Sequence, residues 1–243
     1  MLSAIVLTKN EAGNITACLK SLRWCDEIIV IDDCSQDETV VLAQKLGAKV
    51  YRRALQNDFA GQRNFGLAKA SGAWVLFVDA DERVTPPLRD EIIQAINLPV
   101  AGYFLKRVDY LWGRPLQHGE TAHVRLLRLA RKTAGQWQRQ VHEIWQIKGA
   151  TEELKNPLFH YPHQDLSEFI DHLNFHSSLH AQALAKEHKK SSIVKVVFYP
   201  PAKFLQNYFW RQGFLDGMPG LISALMMSWH SFFSHAKQYV KNH

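Results

Sequence analysis

Apolar and polar positions fall in blocks along the first hundred residues, and the period of the blocks changes in a regular way. Largely apolar runs, rich in bulky and β-branched side chains, recur at Ser3–Thr8, Glu27–Asp32, Ala48–Tyr51 and Trp74–Asp79. Runs of that length predict strands, and the continuous one at Trp74–Val78 predicts a strand buried on both faces. Between them, Asn14–Leu22, Asp37–Leu46 and Phe59–Ala70 read as helices, with Ile15, Leu19 and Leu22 on one stripe. Strand and helix in alternation predict parallel pairing through right-handed crossovers, an α/β unit with ligands at the C-terminal edge of its sheet. Pro86-Pro87 opens one more helix, Leu88–Ile96, because a first turn tolerates proline.

Beyond that point the alternation decays. Tyr103–Val108 predicts a strand, and Trp112–Trp145 mixes Trp, Arg and His, which suits either a surface gripping a polar ring compound or half-buried β-structure. His163, His172, His176 and His180 have the look of a helix surface. Val194–Trp210 is apolar and aromatic, with Pro200-Pro201 read as a break, and Gly217–Ala236 carries no formally charged side chain. That length raises a membrane span. At helical spacing, however, Leu221, Ile222, Leu225, Met226, Trp229, Phe232 and Phe233 share one side, while Ser223, Ser228, Ser231, Ser234, His230 and His235 share the other. Those polar groups, with a break at Pro219-Gly220, are costly in hydrocarbon, so the expectation is a helix lying in the membrane interface. An accessory helical layer or a homo-oligomer interface is the alternative. The expected organisation is a catalytic domain over 1–165 and a helical, basic, membrane-associating region over 166–243.

Charge sharpens this picture. The net charge of +6 is confined to the end of the chain: residues 1–185 carry 21 Lys+Arg against 21 Asp+Glu, residues 186–243 carry 8 against 2. Lys203, Arg211, Lys237 and Lys241 would meet anionic headgroups, and a hydrophobic helix beside them, rather than a base-stacking groove, argues against nucleic acid. Cys18, Cys25 and Cys34 form no C-x-x-C pair, as expected of reduced thiols in the cytoplasm, and no signal peptide is read at the start.

Four polar clusters follow the predicted strands: Thr8-Lys9-Asn10-Glu11, Asp32–Asp37, Gln62-Arg63-Asn64 and Asp79-Ala80-Asp81. Converging on one edge, they imply a ligand with several polar parts. Neither G-x-G-x-x-G nor G-x-x-x-x-G-K-[ST] is present, so a diphosphate would be met by a metal and by side chains such as Arg63 and Lys9. Two carboxylates separated by one small residue can hold a hard divalent cation with room for phosphate oxygens; a solvated acidic turn is the plainer reading, and Asp32 and Asp37 equally suit a helix cap.

In order, V-L-T-K-N-E, I-I-V-I-D-D-C-S-Q-D-E-T, G-Q-R-N-F-G-L and F-V-D-A-D-E resemble the family-2 glycosyltransferases of the GT-A fold, over about residues 3–85. The resemblance implies a mostly parallel Rossmann-like sheet flanked by helices and an inverting, metal-dependent transfer of a hexose from a UDP-sugar. It implies that Thr8, Asn10 and Glu11 line the nucleotide pocket, Asp33 accepts from the uracil, Arg63 and Asn64 border base and diphosphate, Asp79 lies by the ribose and Asp81, in the DXD motif, holds Mg2+ or Mn2+. Gln140-Val141-His142-Glu143 and Phe214-Leu215-Asp216-Gly217 are similar to elements of the branch that builds the lipopolysaccharide core. That likeness implies Glu143 as catalytic base, with Glu120 and Asp109 as alternatives, and a lipid-linked saccharide acceptor at the inner face of the cytoplasmic membrane. His160, in Leu158–Tyr161, resembles a late histidine that closes the metal or diphosphate site; Arg125 and Arg128 suit an anionic acceptor or the border of a sheet. A polyprenyl-phosphate or capsule acceptor, and a non-catalytic nucleotide-sugar-binding protein, are the other readings.

Overall fold

The computed structural model describes residues 1–140, 143–162, 165–186 and 191–242. The chain divides into two compact units, Met1–Arg107 with Arg125–His160, and Val108–Val124 with Tyr161–His243.

The first unit begins with β1 (Leu2–Thr8), α1 (Ala12–Ser21), β2 (Glu27–Asp32), α2 (Thr39–Lys45), β3 (Lys49–Arg52), α3 (Phe59–Lys69) and β4 (Trp74–Asp79). The four strands pair in parallel in the order β3-β2-β1-β4. Alternate side chains of one strand enter different cores, which is why these runs read as unbroken apolar blocks. Ala4, Val6, Trp74, Leu76 and Val78 face the core that includes Ile15, Cys18 and Leu19 of α1. Ile5, Val75 and Phe77 face the other, with Ala60 and Leu67 of α3. Gly66 lets α3 cross closely: a Cβ there would come within 2.7 Å of Ile5 Cγ2.

Past β4 the chain makes β5 (Glu82–Val84), α4 (Pro86–Ala95), β6 (Gly102–Leu111) and β7 (Arg114–Pro115). Then follow β8 (Arg125–Arg131), β9 (Gly135–Gln138), β10 (Ile144–Ile147), β11 (Thr151–Glu153) and β12 (Leu158–His160). β8 runs antiparallel between β4 and β6, so the sheet is parallel through β4 and mixed beyond it. The Trp-rich segment is half-buried β-structure: β9 and β10 form an antiparallel pair that stacks Trp137 on Trp145, centroids 5.3 Å apart, against Phe77. Val141 and His142 of the V-H-E element, and His163, lie outside the described residues.

The second unit is mainly helical: α5 (Leu166–Lys186), α6 (Ile193–Leu205), a π-helical turn at Gln206–Trp210 and α7 (Gly217–Asn242). Two expected breaks are not breaks. Pro200 and Pro201 lie inside α6, and the chain leaves the α-helix only at Gln206. Pro219 sits in the first turn of α7, where the missing N–H has no helical partner to lose. Gly220 is there for space, since an added Cβ would run into the Gly213 carbonyl oxygen. On α7 two of the serines turn inward and the aromatics outward: Ser228 and Ser234 are buried, bonded to the carbonyls of Pro200 and His230, while Trp229, Phe232 and Phe233 are exposed. Among the described residues no helix is long and apolar enough to cross a membrane.

Candidate active site

The register of the parallel strands builds the first wall of the site. Thr8 lies opposite Asp32 and Leu7 opposite Asp79, so the last residues of β1, β2 and β4 share one edge. Two loops leave that edge and are sewn together. Asn10 and Cys34 both hold left-handed backbone, φ 53° and 54°. The Asn10 N–H donates to Ser35 Oγ at 2.8 Å and its Oδ1 accepts from the Gln36 N–H at 2.8 Å. Asp37, one residue before the Glu38 N-cap of α2, accepts from the Ala12 and Thr39 N–H groups and so ties the first residues of α1 and α2 together. Glu11 holds its backbone N–H on Thr39 Oγ1 and accepts from Asn14 Nδ2. Asp33 pairs with Lys9 at 2.8 Å and accepts from the Leu55 N–H. Thr8 Oγ1 and Asp32 Oδ1, on paired residues, are buried with no hydrogen-bond partner among the described residues. Orphaned polar atoms in a folded interior call for an explanation, and an absent ligand at a strand edge is one.

The third cluster lies on a helix, as the expected Phe59–Ala70 helix places it. Gln62, Arg63 and Asn64 ride on α3, whose start is capped by Asp58 accepting from the Gly61 N–H. The helix aims them differently. Asn64 is fully engaged with the backbone of Trp137, donating at 2.8 Å and accepting at 2.9 Å, and so clamps β9 to α3. Arg63 lies over the Trp137 ring at 4.7 Å and bridges two acids, Glu143 Oε1 at 2.9 Å and Asp79 Oδ1 at 3.2 Å.

That bridge belongs to a buried network. Antiparallel pairing of Leu76 with Leu129 carries Arg128 along β4, and its Nη2 meets Asp79 Oδ2 at 2.5 Å and Glu82 Oε1 at 3.5 Å. Glu82 also accepts from the Asp79 N–H at 2.8 Å. Burial pushes the Asp79 carboxyl up, but the Arg128 and Arg63 guanidiniums override it and hold it well below the usual carboxylate range. Glu82 goes the other way: burial raises it, Arg128 opposes, and the Asp79 charge reinforces the rise. Glu82 was missed in the sequence, although an acid three residues past Asp79, in a segment ending in Val84, carried the signal.

Asp81 has a partner from the far end of the unit. β12 pairs antiparallel with β5, His160 opposite Glu82, and this brings His160 Nε2 within 3.1 Å of Asp81 Oδ2. Both side chains are partly open, 14% and 22% exposed. Among the described residues no group of three or more His, Cys, Asp and Glu is arranged to hold a metal. An ion gripped by this pair would complete its shell from ligand oxygens and water, as hard cations at phosphate sites do.

The two alternative acids, Asp109 and Glu120, belong to the helical unit, where Glu120 pairs with Lys203 at 2.8 Å. Arg125, beside Arg128 in sequence, pairs instead with Glu153 at 2.6 Å.

The sequence profile of Glycosyl transferase family 2 matches residues 3–151. The lipopolysaccharide core biosynthesis glycosyltransferase LpsC of Rhizobium meliloti (strain 1021) is 30% identical over 250 residues, covering 99% of this chain and 93% of the relative. An uncharacterized glycosyltransferase of Rickettsia bellii (strain RML369-C) is 25% identical, covering 97% of this chain and 85% of the relative. Among solved structures, S. aureus TarS 1–349 in complex with UDP aligns over 100% of this chain and 92% of its own, with a TM-score of 0.53 at 17% identity. Such a likeness speaks for the fold, the GT-A arrangement expected from the sequence.

Proposed function

The chain belongs to glycosyl transferase family 2 and is a glycosyltransferase, and from that premise we propose that it transfers a hexose, glucose from UDP-glucose, to a lipid-linked saccharide of the lipopolysaccharide inner core, with inversion and dependence on Mg2+ or Mn2+. The single observation that carries the reading is the meeting of Asp81 and His160 at the end of β4. The donor set fits a hard or borderline divalent ion, one carboxylate and one imidazole, with the remaining positions left to the diphosphate. When bound, that ion would neutralise the charge developing on the leaving diphosphate.

The other roles fall to this chain's own side chains. Thr8, Asn10, Glu11 and Asp33 form the uridine pocket; the orphaned Thr8 and Asp32 oxygens support a ligand there. Asp79, held ionised and aimed by Arg63 and Arg128, takes the ribose. Asn64 acts at one remove, by fixing β9 under Arg63. Glu143, whose Oε1 accepts from Arg63, presents Oε2 to the acceptor hydroxyl and takes its proton. The acceptor oxygen then bonds to the anomeric carbon as the carbon–oxygen bond to the diphosphate breaks on the opposite face, which inverts that centre. The acceptor class is supported by the name and the 30% identity of LpsC.

The helical unit would hold the enzyme on the inner face of the cytoplasmic membrane. α6 has no buried residue, and Val194, Val197 and Phe198 stand exposed on it, with Lys195 among them. Contiguous exposed apolar surface next to cations is the chemistry of an anionic bilayer interface. The experiment is a screen of nucleotide sugars for UDP release with a lipopolysaccharide-core acceptor, with and without Mn2+. Metal-dependent release from UDP-glucose is expected; release from no UDP-sugar would overturn the donor assignment.

A further inference from the structure

Two adjoining clefts in the helical unit are not used by the reaction. The larger, about 950 Å³, opens where α5, α6 and α7 pack together, and its volume is at the upper end of those that enclose small ligands. Tyr199, Leu205, Phe209, Trp210 and Met227 make it apolar along one wall. Deeper in, His180 and His230 stack with ring centroids 5.5 Å apart. Burial, helped by the neighbouring His180, presses the His230 imidazole down to about 4, so that ring is uncharged at neutral pH. The charged groups lining this cleft, Lys203 and Glu120, are paired with each other.

The smaller cleft, about 430 Å³, shares Gln206 and Trp210 with the larger, and its remaining lining is polar: Gln117, His118, Arg211 and Gln212. Asp216 builds its rim, accepting from the Gln117 and His118 N–H groups at 3.2 and 2.8 Å and meeting His118 Nδ1 at 2.8 Å. Arg211 makes a long hydrogen bond to Asn207 Oδ1, 3.4 Å, and has no ion pair among the described residues. Trp210 stands at the seam, 86% exposed, and Phe209, Phe214, Leu215 and Met218 are exposed nearby in the chain.

We propose that the paired clefts hold one anionic phospholipid taken from the bilayer, its two acyl chains entering the larger cleft and its phosphate at Arg211 in the smaller. An apolar chamber joined to a polar one matches an amphipathic molecule, and an arginine that feels the Glu120 charge only from beyond ion-pair distance leaves its guanidinium to a phosphate. The apolar residues around the seam are those that would lie in the interface, so the lipid need not cross water to enter. The inference rests on the membrane-docking reading and adds a discrete site to it.

The test uses the full chain in two measurements. Calorimetry with dioctanoyl-phosphatidylglycerol and dioctanoyl-phosphatidylcholine, both below their micelle-forming concentrations, reads the site; flotation with phosphatidylglycerol vesicles reads docking. One phosphatidylglycerol should bind per chain, about tenfold tighter than phosphatidylcholine. Arg211→Gln should remove that preference, and Ser231→Trp, which fills the chain cleft from α7, should weaken both lipids about tenfold or more with an unchanged melting temperature. Wild-type flotation without monomeric lipid binding would overturn the site and leave docking intact. Absence of flotation would overturn docking and the inference together. Lipid binding unaltered by both substitutions would put the site elsewhere and overturn the proposal.

Discussion

Arg63, Arg128 and Glu82 lie inside the α/β unit, each facing an opposite charge, although Arg63 Nη1 and Arg128 Nε find no hydrogen-bond partner among the described residues, whereas Val197, Phe198 and Trp210 of the helical unit stand in solvent while Ser228 and Ser234 are buried. In the first unit the large exposed hydrophobics are scattered singly, Met1, Val41, Ile93, Leu98 and Ile144; in the second they run together along α6 and the turn that follows it. Scattered apolar residues need no explanation, but a contiguous run does. The contrast teaches that one unit turns its charges inward and pairs them beside a few oxygens left without a partner, while the other turns its bulky apolar side chains outward along one stretch.

The sharpest way to break that contrast is to disturb a charge at the sheet edge. Glu143→Gln should lower the transfer rate by roughly two to four orders of magnitude while UDP-sugar affinity stays near normal, read by UDP release and by calorimetry. If the loss lies in affinity instead, Glu143 belongs to the donor site. Next in size is the core. Phe77 is fully buried against the stacked indoles of Trp137 and Trp145, edge to face with both, and Phe77→Ala should cost about 3–5 kcal/mol in a denaturant titration. In the helical unit, Phe198→Ser with Trp210→Ser should change stability by less than about 0.5 kcal/mol, because neither is buried, yet remove most vesicle flotation. A large stability loss there would mean that the face is packed after all.

The smallest expected effect is a pH dependence in the first unit. Burial pushes Glu27 up, but Lys49, Ser3 and Ser71 bring its carboxyl down to about 2. A folded-state value below the unfolded one stabilises above the unfolded value, near pH 4.5, and that contribution is lost as pH falls toward 2. Glu27→Gln should therefore cost roughly 1–2 kcal/mol at neutral pH, discounted because Lys49 is largely exposed, and should flatten the stability profile over that window.

How far the sequence carried the fold depended on the range of the interactions. The parallel half was legible because each strand and helix declares itself locally, and Asp81 was legible because β4 stops where its apolar run stops. Arg128 facing Asp79 was not, since it arrives on a strand 49 residues later whose antiparallel register no local pattern encodes. His160 was found by resemblance; its contact with Asp81 depends on the β12–β5 pairing. Gln62–Asn64 fell inside a helix that was legible, but the direction in which each side chain leaves it was not, and Pro200-Pro201 and Pro219 misled because a helix can start at, or pass through, a proline.

The central claim is that Asp81 and His160 together grip a divalent ion whose remaining ligands come from the donor diphosphate. Electron paramagnetic resonance of free Mn2+, titrated with protein in the presence and absence of UDP, tests it without any acceptor. UDP should tighten Mn2+ binding to the wild-type chain, Asp81→Ala should abolish that gain, and His160→Ala should weaken it. UDP-dependent Mn2+ binding that survives both substitutions unchanged would contradict the account.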